Sequence, residues 1–442
     1  MSKLATAGIT SLLLSGSICA YAQVESINYN NNRVMQGSYY FGANVDDPDG
    51  ESFFVRNRYT AADAYFYEGI DPLPVQLGVF ETRPVLRLSP VSRSNVFLSE
   101  NDEVSDTLVA IAPSIAATTT WSRHRLGLDA IVQHEEFLDS SEESATQYGI
   151  RGFGQLDITS NFAIAGSIAS ENLRENRVNV GGVINSRERV ELDRTGVEAN
   201  AAYFAQRIRL RGRFSQETFD FSDVTTPDGL LLDQDFRDYD ETRVAANVEY
   251  AVSRDWAVIA ELENVDREYD NLTAGGVNRD ISGNIVRVGT SFELPVSLRG
   301  QVSAEYQSFD PADPTLEDID EFGLNADLRW FLTQLTTARA FASRRVSDAG
   351  TTGASSALVS TYGVGLDHEL LRTVILSGSL NYETREFNPF DREDEQTTFD
   401  VGAVWKLNPN IQVRGGYRFT KQESDIDPFE DNVLSLRLSF FP

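Results

Sequence analysis

The feature that most constrains this chain is a two-residue rhythm. From about residue 84 to the C-terminus, polar and apolar side chains alternate, stretch after stretch. A period of two puts successive side chains on opposite faces, so each stretch reads as a β-strand with one apolar and one polar face. The connections alternate as well. Short turns such as "TTWSRH" (119–124), "FAQR" (204–207), "LLR" (370–372) and "LNPN" (407–410) are followed by longer acidic ones. The longer set includes "SDVTTPDGLLLDQDFRD" (222–238), "DPADPTLED" (310–318) and "NPFDREDE" (388–395). A soluble β-sandwich has no reason to keep that asymmetry through so many hairpins, whereas an outer-membrane barrel has short periplasmic turns and longer outer loops.

Counting the stretches gives about 18 strands (16–18), from 84–98 through 207–221, 240–252 and 396–407 to 430–441. The expected fold is all-β: a transmembrane, antiparallel, up-and-down β-barrel preceded by a mostly irregular N-terminal segment. The organisation that follows is an export signal over 1–22, an N-terminal periplasmic extension or plug over 23–83, and the barrel over 84–442. An even strand count puts both barrel ends in the periplasm, and a barrel of this size leaves an aqueous channel.

"RIRLRGRF" (207–214) shows what the rhythm asks of each face. Ile208, Leu210 and Phe214 suit lipid; Arg207, Arg209, Arg211 and Arg213 need water or partners, because an isolated charge in hydrocarbon costs several kcal/mol. By the same alternation Arg243, Arg414 and Arg418 point into the lumen. These seven arginines are the candidate pore-lining residues. They either pair with acids on neighbouring strands or form a cationic track for an anionic solute or a sugar acid.

All four tryptophans, Trp121, Trp256, Trp330 and Trp405, fall at the short-turn end. Tryptophan favours the membrane–water boundary, so they are the candidate periplasmic aromatic girdle. At the C-terminus Leu434, Leu436, Leu438 and Phe440 alternate with Ser435, Arg437 and Ser439. This is an amphipathic last strand ending in an aromatic, as barrel-assembly machinery recognises, and it has to close against the first strand.

The chain of 442 residues carries 67 acidic and 38 basic residues, a net charge of −29, which disfavours a nucleic-acid partner. Mean hydropathy is −0.29, a value barrel strands permit. Lys3, an apolar run to Cys19 and the small-x-small "AYA" (Ala20–Ala22) before Gln23 form an export signal with cleavage near Ala22. The single cysteine lies within it, so no disulfide is expected. No apolar run after Gln23 is long enough for a membrane helix. The three histidines, His124, His134 and His368, lie apart with no nucleophile signature beside them, and no phosphate loop or metal-ligand spacing occurs. The expectation is no enzyme, no cofactor and no metal. "DDPDG" (46–50) reads as a turn. The loop acids, among them Asp223, Asp233, Asp235, Asp313, Asp391 and Glu393, read as a solvated rim or as divalent-cation bridges to lipopolysaccharide.

The stretch from Asp71 to Ile115, followed by Trp121 to His124, resembles the putative β-barrel porin type 2 family of outer-membrane proteins. The resemblance is carried by Asp71–Pro72–Leu73, Leu77–Gly78, Phe80, Ser94 to Phe97, Ser105–Asp106, Pro113–Ser114 and "WSRH" (121–124). Pro74 stands where the family shows glycine. The resemblance implies a barrel in the outer membrane of a Gram-negative cell, and a role in exopolysaccharide production and export. The two functional readings are a porin-like channel for polar solutes, with exopolysaccharide export as one form of it, and a non-conducting barrel serving as scaffold or surface-interaction module of a polysaccharide secretion system. The expected partners are outer-membrane lipid and lipopolysaccharide, barrel-assembly machinery, and polysaccharide or its export proteins.

Overall fold

The computed structural model describes residues 59–442 apart from 176, 178–185, 187, 227, 274, 348–355, 389–391 and 427. The expected export signal and "DDPDG" lie outside the described residues. The barrel strands are β1 Phe80–Arg93, β2 Asp106–Thr119, β3 Arg125–Phe137, β4 Ala145–Asp157, β5 Phe162–Arg174, β6 Glu191–Ala205, β7 Ile208–Phe221, β8 Tyr239–Ala251 and β9 Trp256–Tyr269. They continue as β10 Ile281–Leu294, β11 Leu298–Pro311, β12 Ile319–Thr333, β13 Thr336–Ser347, β14 Ser356–Leu371, β15 Val374–Asn388, β16 Arg392–Asn408, β17 Ile411–Glu423 and β18 Phe429–Phe440. Each strand pairs antiparallel with its sequence neighbours, and β18 pairs with β1, which closes the 18-stranded sheet into a barrel. Closure leaves no open edge, the condition for placing strands in lipid. Among the described residues no helix is long and apolar enough to cross a membrane, which says nothing about crossing by strands.

The expected strands sit where the alternation put them, with two instructive shifts. The first strand runs over Phe80–Arg93 rather than 84–98. The alternation in "SNVF" is not a strand: Asn95 Nδ2 donates to the Ser99 carbonyl at 2.7 Å and the Ser99 N–H to Asn95 Oδ1 at 3.0 Å, which curls the chain into a loop. Val96 and Leu98 are buried by that curl. The expected loop at 388–395 is largely strand, because β16 begins at Arg392 and pairs as far as Phe387.

The two faces separate cleanly. Phe322 (74% exposed), Ile168 (64%), Leu434 (63%) and Val288 (60%) point outward, a surface that water would penalise and lipid would not. Inward-facing positions are charged, polar or small through the middle of the barrel. Apolar inward residues gather near the long-loop end, where Leu173, Leu192, Phe219, Phe221 and Tyr239 pack together. Several inward glycines leave no room for a side chain: at Gly127 the ring of its cross-strand partner Phe153 lies over the position, and a Cβ there would meet the ring at 2.1 Å.

Candidate pore lining

The lumen wall over β7–β11 is a lattice of arginines and carboxylates set by strand register. Glu249 stands opposite Arg209, Glu241 opposite Arg267, Glu261 opposite Arg287, and Arg287 opposite Glu305. Glu241 accepts from Arg243 at 2.6 Å and from Arg267 at 2.6 Å. Glu263 accepts from Arg213 at 3.0 Å and from Arg243 at 3.3 Å. Arg287 bonds both Glu261 and Glu305, the latter at 2.8 Å. Asn247 and Asn325 donate their amides to Glu261 and Glu305. Charge-assisted bonds of this kind are stronger than neutral ones, and shared carboxylates fix the side chains they hold.

The seven pore-lining arginines fall into distinct positions. Arg207 is not on the wall: it lies exposed in the two-residue turn before β7, so the expected four-rung ladder has three rungs. Arg209 is buried, 3.7 Å from Glu249 and stacked over Phe204. Arg211 stands opposite Asn247 in register. Arg213 and Arg243 share Glu263. Arg418 donates to Asp400 at 2.7 Å. Arg414 is on the far wall, directly opposite Arg437 in the neighbouring strand.

Residues 59–72 enter the lumen at the short-turn end. Asp71 forms an ion pair of 2.6 Å with Lys406, and both are buried. Asp63 bonds Arg339 at 2.8 Å, and the Ala62 N–H donates to Thr337 Oγ1 at 2.9 Å. The Tyr67 hydroxyl donates to Glu369, and the Tyr59 ring stacks on Phe331 at 5.3 Å. Burial and the adjacent Glu369 carboxylate push the Tyr67 hydroxyl up to about 12. Every one of these partners faces inward on β12–β16. Alternation could not reveal this docking, since residues 59–72 have none. One signal was present: the chain has three lysines, and Lys406 is the one on an inward strand face otherwise served by arginine. A buried lysine needs a carboxylate partner.

The long-loop end is acidic. Asp223, Asp233 and Asp235 bring carboxylate oxygens within 4.8 Å of one another on the exposed surface of the 222–238 connection. The neighbouring Asp223 raises the Asp235 carboxyl above its usual range, and burial beside Asp220, Asp235 and Asp270 raises Asp238 to about 6. A second acidic site is a cavity of about 630 Å³ lined by Glu100, Glu103, Glu393, Glu395, Glu423 and Glu430 with Lys421. Glu143 is also at this end; it is buried, but Arg189 and Arg177 hold its carboxyl below the usual range.

The four tryptophans stand at the short-turn rim, 41–52% exposed and on the outward side: Trp121 in a turn, Trp256 at the start of β9 against Phe292, Trp330 and Trp405 near the ends of β12 and β16. In the closing strand Leu434, Leu436 and Phe440 face out, with Leu438 on the same side and half-buried. His134 bonds Thr146, His368 bonds Thr336 and His124 accepts from the Asp157 N–H, so the histidines occupy three separate places.

A closed 18-stranded barrel with an apolar outer belt and a charged inner wall defines a porin-like outer-membrane β-barrel. The chain belongs to the family described as putative β-barrel porin 2, whose model matches residues 68–440. Solved structures with a similar fold include Pseudomonas aeruginosa OccK2 (OpdF), at 10% identity and TM-score 0.46 over 81% of this chain and 98% of that one. They also include the outer-membrane protein opdK of the same organism, at 11% identity and TM-score 0.44 over 82% and 99%. Acinetobacter baumannii OccAB4 matches at 12% identity and TM-score 0.44 over 83% and 99%. No curated protein sequence matches this one.

Proposed function

We propose that the barrel is a passive channel for polar solutes, with its short-turn end in the periplasm and its long loops outside. The observation that carries this reading is the inner wall: charged and polar side chains line the inward face of strand after strand around a closed barrel, an arrangement that water in the lumen stabilises. Transport is then diffusion, with selectivity set by the width of the passage and by lining charge. Residues 59–72, bonded to the wall through Asp63, Tyr67 and Asp71, narrow the periplasmic mouth. The tryptophans at that rim anchor it at the headgroup boundary. Polysaccharide has no specific support among these features over other polar solutes.

The same docked segment favours a second reading, a barrel closed to conduction that serves as a scaffold. Single-channel recording of the refolded mature protein in a planar bilayer separates them, with and without residues 23–72. Steady conductance of the intact protein supports the open channel. Conductance only after the deletion makes the segment a plug. Silence in both forms refutes the channel.

A further inference from the structure

The paired charges of the braced wall do not lie at the same depth. The Arg213 side chain is 40% exposed, while that of its partner Glu263 is 5% exposed. Arg243 is 34% exposed over Glu241 at 6%, and Arg287 is 26% exposed over Glu305 at 4%. Glu261, the second partner of Arg287, is 17% exposed and again the deeper member. Register puts all of these residues on the inward face, so the space into which the arginines are exposed is the lumen.

The layering has a physical cause. An arginine stem is longer than that of glutamate, and its guanidinium seeks water. Where the two types share a face, the carboxylate stays against the wall and the guanidinium rides over it. On the far wall Arg418 lies over the deeper Asp400 in the same way. The order reverses at Asp327, which is open to the lumen beside the deeper Arg329, and at Glu383 beside Arg385.

The three exposed arginines form one patch. Arg213 and Arg243 meet on Glu263, and Arg287 is held by Glu261, two residues away on the same face of β9. Two residues of a strand span about 7 Å. The bonds to glutamate use Nη2 of Arg213 and the Nε and Nη1 of Arg243 and of Arg287. Among the described residues, Nε and Nη1 of Arg213 and Nη2 of the other two hold no hydrogen bond, so each fork keeps donors for a further acceptor.

As a set, Arg213, Arg243, Arg267 and Arg287 balance Glu241, Glu261, Glu263 and Glu305, so this wall exerts little field at a distance. At contact range the nearer charge prevails, because Coulomb energy falls with separation. A solute touching the patch therefore meets cations, in a chain whose net charge is −29.

We infer that Arg213, Arg243 and Arg287 form the selectivity surface of the lumen, a guanidinium face laid over buried glutamates that contacts the carboxylate or phosphate group of small anionic solutes. The glutamates hold the forks in place, and their opposite charge keeps the contact weak enough for a passing solute to leave. This inference gives the channel reading a solute class and rests on that reading for transport; the contact itself does not require conduction.

Two measurements on the full mature protein test it. In detergent micelles, phenylglyoxal modifies accessible arginines, and peptide mass spectrometry reports each site. Arg213, Arg243 and Arg287 are labelled, and sodium gluconate or inorganic phosphate slows the reaction there by at least about two-fold, as half-occupancy requires. Which of the two protects identifies the group, and the uncharged sorbitol has no effect. Arg254, exposed in the short turn between β8 and β9, labels at one rate throughout. In a planar bilayer under a potassium chloride gradient, the reversal potential shows a preference for chloride. The double variant Arg213→Gln/Glu263→Gln removes one exposed cation together with a buried partner and keeps the net charge. It lowers the chloride-to-potassium permeability ratio by at least about two-fold. Heat-dependent electrophoretic mobility establishes that the variant is folded. Labelling that neither anion slows, potassium preference in the wild type, or a ratio unchanged in the double variant overturns the inference. Protection by an anion without any current refutes the channel and upholds the contact.

Discussion

Two walls of the lumen, half the barrel's circumference apart, use the same residue types to opposite ends. Over β7–β11 Glu241 and Glu263 are each shared between two arginines and Arg287 between two glutamates, so charge is cancelled where it stands. Over β17, β18 and β1 arginine faces arginine, and the residues between are serine and glycine. The first wall is a brace of opposite charges; in the second, like charges stand directly across the ladder. Both read identically in the sequence, as strands with alternating charge. What separates them is which residue lies across the ladder, and that is a matter of register.

Substitutions can break or sharpen this contrast. The largest effect belongs to the pair between Asp71 and Lys406, both buried. Asp71→Asn leaves a buried ammonium without its counter-charge, a loss of about 3 kcal/mol in the attachment of residues 59–72. Thermolysin should then cleave within the segment in the folded protein, and channel conductance should rise. Next comes the brace. Glu241→Gln strips two arginines of their shared carboxylate; because Arg243 is partly exposed, the cost is about 2 kcal/mol rather than that of a fully buried pair. Guanidinium unfolding in micelles reads it directly, and no change would mean that the lattice is decorative.

A smaller effect lies at the outer end of the braced wall. Asp238 titrates at about 6 against an ordinary carboxylate value near 4, so its protonated form is favoured in the folded loop. The associated stability is fully present below about pH 4 and disappears as pH rises through 6. Hydrogen exchange in 222–238, corrected for intrinsic rate, should be slower at pH 5 than at pH 7, by an opening free energy of about 1 kcal/mol after allowance for partial exposure. Asp238→Asn should remove the dependence. The smallest effect is at the seam. Arg437→Gln should alter unfolding by no more than about 0.5 kcal/mol, because the charge it removes faces Arg414 directly across the ladder. A loss as large as that of Glu241→Gln would show that the seam is a brace as well.

Strand positions and faces were legible because lipid on one side and water on the other enforce a period of two at every residue. Leu210 and Phe214 out, Arg209 and Arg213 in, follow from that alone. The pairings were not legible. Arg207 fits the alternation yet lies in the turn, since a hairpin of two residues takes the first member of the run for itself. Arg213 reaches Glu263 two strands away, and no local pattern encodes the stagger between strands. Asp71 belonged to the most recognisable block of the chain, but its partner is more than three hundred residues distant and only closure of the barrel brings it near. Gly402 and Gly416 are ordinary strand glycines until register sets them side by side.

The ladder between β1 and β18 holds six residue pairs and is interrupted at Ser89–Pro90, where proline has no N–H to contribute, while the other barrel ladders run for eight pairs or more. That places the thinnest hydrogen bonding at the one junction joining residues some 350 positions apart. Such a junction can form only after the whole chain has been delivered, so the molecule spends its assembly as an open, curled sheet with two unsatisfied rims. Those rims bring Arg93 of β1 against Asp431 of β18, which pair at 2.7 Å. The final step of biogenesis therefore draws opposite charges together, and its rate should fall as salt screens them when the two rims come into contact.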